Sequence, residues 1–271
     1  MKTDNKKTIL ITGATDGIGL ATANKLVAMG HEVLLHGRNQ EKLNAVVQSL
    51  TQLHRNAVIK KFTADFSELG DVVALANAVT AQHKKLDVLI NNAGVLKTPI
   101  TRTSNGLDVR FVVNTLAPYL FTQRLLPLMD KQARVINLSS AAQAKVNLNA
   151  LNGDQALADM EAYAQSKLAL TLWSQHMAAK LKTTGPIIIA VNPGSLLASK
   201  MVKEGFGITG NEINIGANIL IKAAFDTSFA TASGKYYDND AQRFAAPQYD
   251  SDKPDKIAEL IQAMEALLTS V

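Results

Sequence analysis

Two rhythms of apolar positions alternate along the chain. Short, nearly continuous apolar runs fall at 8–11, 32–36, 57–63, 86–90, 134–138 and 186–191, with a further one at 234–237. These read as strands. Between them apolar residues recur every three or four positions, as Leu43, Val46, Val47 and Leu50 do within 39–53, which is the period of a helix with one buried face. The same period covers the stretch from the first glycines to Met29, then 69–83, 106–129, 160–181 and 254–268.

Strict alternation of apolar strands with helices predicts an α/β fold. The expected architecture is a doubly wound parallel sheet of about seven strands with helices on both faces, joined by right-handed crossovers. No internal repeat, low-complexity tract or linker interrupts the pattern, so residues 1–271 are expected to form one domain. Two stretches break the rhythm: 141–161, and 195–214 with its Gly205, Gly207 and Gly210. Both follow strands, on the edge of such a sheet where ligands bind, and long loops there are functional or mobile.

Composition narrows the picture. Hydrophobic residues make up 47% of the chain and aromatic ones only 5%, so the core must be mainly aliphatic, as suits helices packed on a parallel sheet. The net charge of +5 is scattered in pairs such as Lys6-Lys7, Lys60-Lys61 and Lys84-Lys85, without a basic stripe interleaved with aromatics, so no nucleic-acid partner is expected. There are no cysteines, which excludes disulfides, thiolate catalysis and Cys-ligated metal. The five histidines show no ligand spacing, so no metal is expected. Met1–Asn5 is polar with no signal-peptide core behind it, and no apolar run approaches the ~18 residues of a membrane span. The expectation is a cytoplasmic protein with no membrane partner.

The candidate chemistry begins after the first strand, at Thr12-Gly13-Ala14-Thr15-Asp16-Gly17-Ile18-Gly19. Gly13 permits a tight turn, Gly17 a close approach of backbone to a pyrophosphate, and Gly19 close packing of helix on strand. The helix N-terminus then offers free N–H groups and a positive dipole end to phosphates. The second strand ends His36-Gly37-Arg38-Asn39. An acid there would accept hydrogen bonds from ribose hydroxyls. Gly37 cannot do so, whereas Arg38 can hold a 2′-phosphate through a charge-assisted contact. Asp65-Phe66 ends the third strand, and Asp65 can cap the helix starting near Ser67 or Glu68. At the end of the fourth, Asn91-Asn92-Ala93-Gly94, small residues let backbone lie against a cofactor and the Asn side chains can tie adjacent strands.

Tyr163 and Lys167 are one helical turn apart on one face. A free phenol titrates near ~10. A neighbouring ammonium and an oxidised nicotinamide favour the phenolate, which brings the pKa toward working pH and makes proton transfer efficient in both directions. The fifth strand ends in Ser139-Ser140, where a hydroxyl can bond a substrate oxygen and stabilise developing charge. Asn114 sits in a helical stretch although Asn is a mediocre helix former, which points to a special role.

In order along the chain, Thr12 to Gly19, Asn91-Asn92-Ala93-Gly94, Asn114, Ser139-Ser140, Tyr163-x-x-x-Lys167 and Pro193-Gly194 resemble the short-chain dehydrogenase/reductase family, over residues 8–195. The glycine spacing is the family's G-x-x-x-G-x-G and not the G-x-G-x-x-G dinucleotide fingerprint. The resemblance implies a Rossmann-type fold and an oxidoreductase of a small-molecule carbonyl or alcohol. It also implies NADP(H), since Gly37 takes the place of the NAD-type Asp and Arg38 that of the NADP-type base. It sets Gly13, Thr15, Asp16, Gly17, Ile18, Gly19, Arg38 and Asn39 against the cofactor, with Asp65 and Phe66 on the adenine, and Asn91, Ala93 and Gly94 on the adenine-ribose side. Pro193, Gly194 and Ser195, together with Tyr163 and Lys167, complete the cofactor contacts.

In the mechanism so implied, NADPH gives hydride to the carbonyl carbon and Tyr163 gives its proton to the oxygen. Ser140 holds that oxygen, with Ser139 as the alternative. Lys167 lowers the Tyr163 pKa and bonds the nicotinamide ribose, and Asn114 supports a water relay to Lys167. Related enzymes pair through helices like 106–129 and 160–181, so a homodimer or homotetramer is expected.

The interval between Ser140 and Tyr163 is longer than in many family members, and with Ala162 to Leu168 it resembles the branch containing the retinol dehydrogenases. Without an apolar anchor, the chain is expected to be a soluble member. The active-site cysteine of the related protochlorophyllide reductases has no counterpart, which sets that activity aside. The family's Thr after Pro193-Gly194 falls near Ala198, so Ser199 or Ser195 must substitute in an apolar lid over 196–211. A dinucleotide-binding regulator of this fold would have lost Tyr163 or Lys167. A nucleotide-sugar epimerase would carry a larger C-terminal region.

Overall fold

In the computed structural model, residues 6–269 are described apart from the Phe206 side chain, and the polar start at Met1–Asn5 lies outside that range. The strands are β1 (Thr8–Ile11), β2 (Glu32–Gly37), β3 (Val58–Thr63), β4 (Val88–Asn91), β5 (Arg134–Leu138), β6 (Ile187–Asn192), β7 (Tyr236–Asp238) and β8 (Arg243–Ala245). They form one sheet in the order β3-β2-β1-β4-β5-β6-β7-β8. All neighbours are parallel except β7 and β8.

The doubly wound sheet is therefore present with one strand beyond those expected. β8 is three residues long and largely exposed, so no local pattern marks it. It is recruited by Phe244, whose ring packs 5.1 Å from Tyr237 and 5.2 Å from Phe229.

Alternate strand residues feed the two faces, as a pleated sheet requires. Ile9, Ile11, Val33, Leu35, Val88, Ile90, Ile189 and Val191 pack under α1 (Gly17–Ala28), α2 (Gln40–Leu53) and α9 (Ile213–Phe225). Leu10, Leu34, Leu89, Val135 and Ile188 pack against α3 (Leu69–Gln82), α4 (Val109–Phe111), α5 (Ala117–Leu125), α7 (Asp159–Leu181) and α10 (Pro254–Leu268). Short helices α6 (Leu148–Leu151) and α8 (Lys200–Phe206) lie within the two loop stretches. Helix α9 was not expected, yet Ala217, Leu220 and Ala224 are buried at helical spacing. Gly216 interrupts that apolar face because a Cβ there would stand 2.7 Å from Leu197.

The long helix expected over 106–129 is broken. Asp108 caps it, so it begins at Val109. Pro118 has no N–H to give to the carbonyl four residues back. Over Val112–Leu116 the helix widens to a π-turn, and the Ala117 N–H reaches Val112 O instead. Such bulges often mark functional positions, and this one carries Asn114.

Helix α7 is buried nearly all round, with Trp173 fully enclosed. Helix α10 packs on α7, and its Glu265 accepts a 2.9 Å hydrogen bond from the Tyr119 hydroxyl of α5. Among the described residues no helix is long and apolar enough to cross a membrane, and no cluster of His, Cys, Asp or Glu could hold a metal ion.

Candidate active site

Strand order reverses between β1 and β4, and a crevice opens where their carboxyl ends diverge. The turn after β1 occupies it. Gly13 and Gly17 take φ of +65° and +53°, the left-handed region that glycine enters without strain. A Cβ at Gly19 would lie 2.2 Å from Gly13 O, so only glycine lets α1 start against its own turn.

The turn is sewn to the end of β4. Thr12 Oγ1 accepts the N–H groups of Asn92 and Ala93, both at 3.0 Å. Asn92 Nδ2 in return donates to the carbonyls of Thr12 (2.8 Å) and Gly13 (3.0 Å). Asn92 is the residue at the crevice, and Asn91 is not. Asn91 Nδ2 donates to Asn137 Oδ1 at 2.7 Å and Thr122 Oγ1 at 3.0 Å, tying β4 to β5 and α5. The strand-tying expected of these asparagines is seen, but Asn92 and not Asn91 lines the cleft, because the strand pleat turns Asn91 inward.

Two cavities follow, of about 370 and 230 Å³. Gly13, Asp16, Ala93, Gly94, Lys200 and Met201 line both, which makes them one cleft roofed by α8. Its size falls in the ~300–1,000 Å³ range of small-molecule sites.

Thr15, Arg38 and Asn39 line the larger, outer cavity, and Lys42 and Lys200 join Arg38 there as cations. A Cβ at Gly37 would stand 2.6 Å from Thr15 Cγ2, so an acid at that position meets the phosphate turn. Asn39 also caps α2, accepting from Lys42 N at 2.8 Å. Asp65 and Phe66 form the far wall. Asp65 is not the cap of α3, a place held by Glu68. Its Oδ1 instead accepts from Ser67 N (2.9 Å) and Ser67 Oγ (2.7 Å) in the turn before that helix.

His36, which sequence reasoning passed over, stands between these walls. Gly13 N–H donates to Nδ1 at 3.3 Å, and Nε2 donates to Ala64 O at 3.0 Å, which assigns the Nε2–H tautomer. Burial pushes its pKa down to about 4, so the ring is neutral.

The inner cavity gathers the residues expected to react. Ile18 and Pro193 line it, with Tyr163 and Lys167 from α7. Lys167 Nζ lies 5.6 Å from the Tyr163 ring centroid and donates to Leu138 O at 2.7 Å. Burial lowers its pKa to about 8. Burial also raises the Tyr163 pKa, while a hydrogen bond from the Ser140 hydroxyl opposes that rise. The lowering expected from Lys167 is not seen, and desolvation sets the direction of the Tyr163 shift.

Of the two serines, Ser140 reaches the phenol. Ser139 lines the inner cavity too, but its Oγ is engaged 2.6 Å from Thr171 Oγ1. Asn114 Nδ2 donates to Val95 O (2.9 Å) and Ser166 Oγ (3.0 Å), and its Oδ1 accepts from Val95 N (2.8 Å). It thus holds the strand end that passes Gly94, where a Cβ would meet Asn114 Oδ1 at 3.2 Å and Lys167 Nζ at 3.5 Å. Gly194 and Ser195 do not line the cleft. Ser195 N and Oγ both donate to Asp240, at 2.9 and 2.5 Å, which clasps the base of the lid to the β7–β8 turn. Ser199 does line the inner cavity and caps α8.

A family model described as short chain dehydrogenase matches residues 7–207. The chain belongs to the short-chain dehydrogenase family. This short-chain dehydrogenase is 32% identical over 263 residues to "Retinol dehydrogenase 12" of Bos taurus, covering 91% of the chain and 82% of that protein. A short-chain dehydrogenase of Escherichia coli CFT073, crystallised in complex with NADPH, superposes with a TM-score of 0.71 at 26% identity, over 87% of this chain and 97% of that one. An uncharacterized protein of Mycobacterium paratuberculosis shares the fold at a TM-score of 0.80 and 24% identity, over 96% and 92% of the two chains. Family membership makes this dehydrogenase an oxidoreductase of the NAD(P)-dependent type.

Proposed function

We propose that the protein interconverts a small-molecule carbonyl and its alcohol using NADP(H), with Tyr163 as general acid and base. The observation that carries this reading is the polarity of one continuous cleft. Arg38, Lys42 and Lys200 line its outer cavity, and Tyr163 and Lys167 lie in the inner one with Ser140 bonded to the phenol. The residues fit that group. The glycine turn lines the cleft with Gly13, Gly17 and Gly19, which carry no side chain to hold a pyrophosphate away from the backbone. Arg38 and Lys42 suit a 2′-phosphate, and no acid stands at Gly37 to prefer a free ribose hydroxyl.

When bound, NADPH supplies the hydride. In reduction, Tyr163 donates its phenolic proton to the substrate oxygen. Ser140 donates a hydrogen bond to the same oxygen and steadies its charge in the transition state. The Lys167 ammonium stabilises the phenolate left behind, and Leu138 O holds that ammonium in place. Asn114 keeps the 94–95 backbone beside Lys167 and supports proton return. The relatives named retinol dehydrogenases favour an apolar alcohol or aldehyde as substrate.

The test is NADPH oxidation across aldehydes, ketones and retinoids, with Tyr163→Phe as control. Expected is turnover that falls by about 10³-fold or more in the variant, while NADPH fluorescence shows unchanged binding. Equal turnover in the variant would remove Tyr163 from the mechanism. Tight NADPH binding with no turnover on any carbonyl would favour a dinucleotide-binding regulator.

A further inference from the structure

His36 is a buried, titratable side chain that the chemistry above does not use, yet it lines the outer cavity. It lies near the end of β2, the strand between β1 and β3. Its ring accepts a hydrogen bond from the Gly13 N–H on one side and donates one to Ala64 O on the other. Its face stacks on Phe66, centroids 4.4 Å apart. Its backbone carbonyl accepts the next N–H of the turn, from Ala14, at 2.9 Å. Two consecutive N–H groups of the glycine turn are thus pinned by one residue. The same ring is fixed to the opposite wall of the cavity.

We propose that His36 is a positioning residue of the dinucleotide cleft, setting the span between the phosphate-binding turn and the adenine-side wall before the cofactor arrives. The inference rests on the NADP(H) reading. Glycines leave the turn free to adopt many conformations in solution, and ordering it at the moment of binding costs affinity. A neutral imidazole removes that cost, because it alone offers an acceptor for Gly13, a donor for Ala64 and a flat face for Phe66 in one rigid ring. An aliphatic side chain would take its partner from the half-buried Gly13 N–H and from the buried Ala64 carbonyl.

Three variants separate the contacts. His36→Leu lacks both polar contacts. His36→Asn keeps an acceptor in the place of Nδ1. His36→Gln keeps a donor in the place of Nε2. NADPH binding is read by cofactor fluorescence, and 2′,5′-ADP by its displacement of NADPH, with thermal unfolding alongside. Expected for His36→Leu and His36→Gln is affinity about tenfold weaker for both ligands, the size of one lost buried hydrogen bond. His36→Asn is expected to stay within about threefold. Equal loss for the ADP fragment locates the defect at this end of the cleft. If His36→Leu does not fold, the Gln and Asn variants decide the matter. Folded His36→Gln binding NADPH like the wild type would overturn the proposal, as would a lower melting temperature with unchanged affinity. A wild type that binds no NADPH removes the NADP(H) reading itself. A wild type that binds while every His36 variant binds equally removes only the role of His36.

Discussion

The two ends of the cleft solve different electrostatic problems. At the outer end Arg38 and Lys42 are exposed cations in contact with water. Exposed to water, their charges carry little desolvation cost, and salt screens whatever they attract. At the inner end Lys167 is buried and Tyr163 half-buried, and desolvation drives the phenol's pKa up and the ammonium's down. Both shifts oppose the charged forms that catalysis uses. The contrast teaches that this site is not poised by the chain alone. The positive charge of an oxidised nicotinamide beside Tyr163 would supply what burial removes.

Lys167→Met breaks the comparison most directly. Turnover is expected to fall by about 10²-fold or more, because the phenolate loses the buried cation beside it. Stability should move the other way. The folded pKa of about 8 lies below the ordinary 10.5, so the unfolded chain holds the proton more tightly, and wild-type stability rises as pH climbs between those values. The variant, measured without cofactor, should therefore be more stable than the wild type by roughly 1–2 kcal/mol below pH ~8, with the gain fading toward pH ~10.5. Thermal melts across that range check the sign. A variant less stable at pH 7 would show that the bond to Leu138 O outweighs desolvation.

Arg38→Leu sharpens the other side. The NADPH/NADH ratio of kcat/KM is expected to drop by about 10–100-fold, with kcat for the preferred carbonyl barely changed. The drop should shrink as salt is raised. An unchanged ratio would relocate the 2′-phosphate. Lys42→Ala should do the same more weakly, by about two- to fivefold, as an exposed charge one helical turn further on. A Lys42 effect larger than that of Arg38 would exchange their roles.

The parts legible in the sequence were those that local physics dictates. The alternation of strands and helices, the glycine turn and the shared face of Tyr163 and Lys167 follow from period and backbone freedom, and all three are seen. Helix α10 was bounded to the residue, since Pro254 opens it. What escaped was β8, held by an aromatic cluster gathered from three chain segments, and the π-turn around Asn114, which needs Pro118 and a fixed neighbour to form. Asp240 and His36 carried no local signal at all, because their partners are distant in sequence.

By itself, then, the sequence determined the fold class and the family, and it singled out the residue types that the cleft gathers. Only the tertiary structure decided between adjacent or nearby candidates. It set Ser140 rather than Ser139 beside the phenol, Asn92 rather than Asn91 at the turn, and Ser199 rather than Ser195 under the lid. At a strand's end neighbouring side chains point to opposite faces. Which face looks into the cleft is set by how helices pack on the sheet, and how far a pKa moves is set by how completely that packing shuts water out.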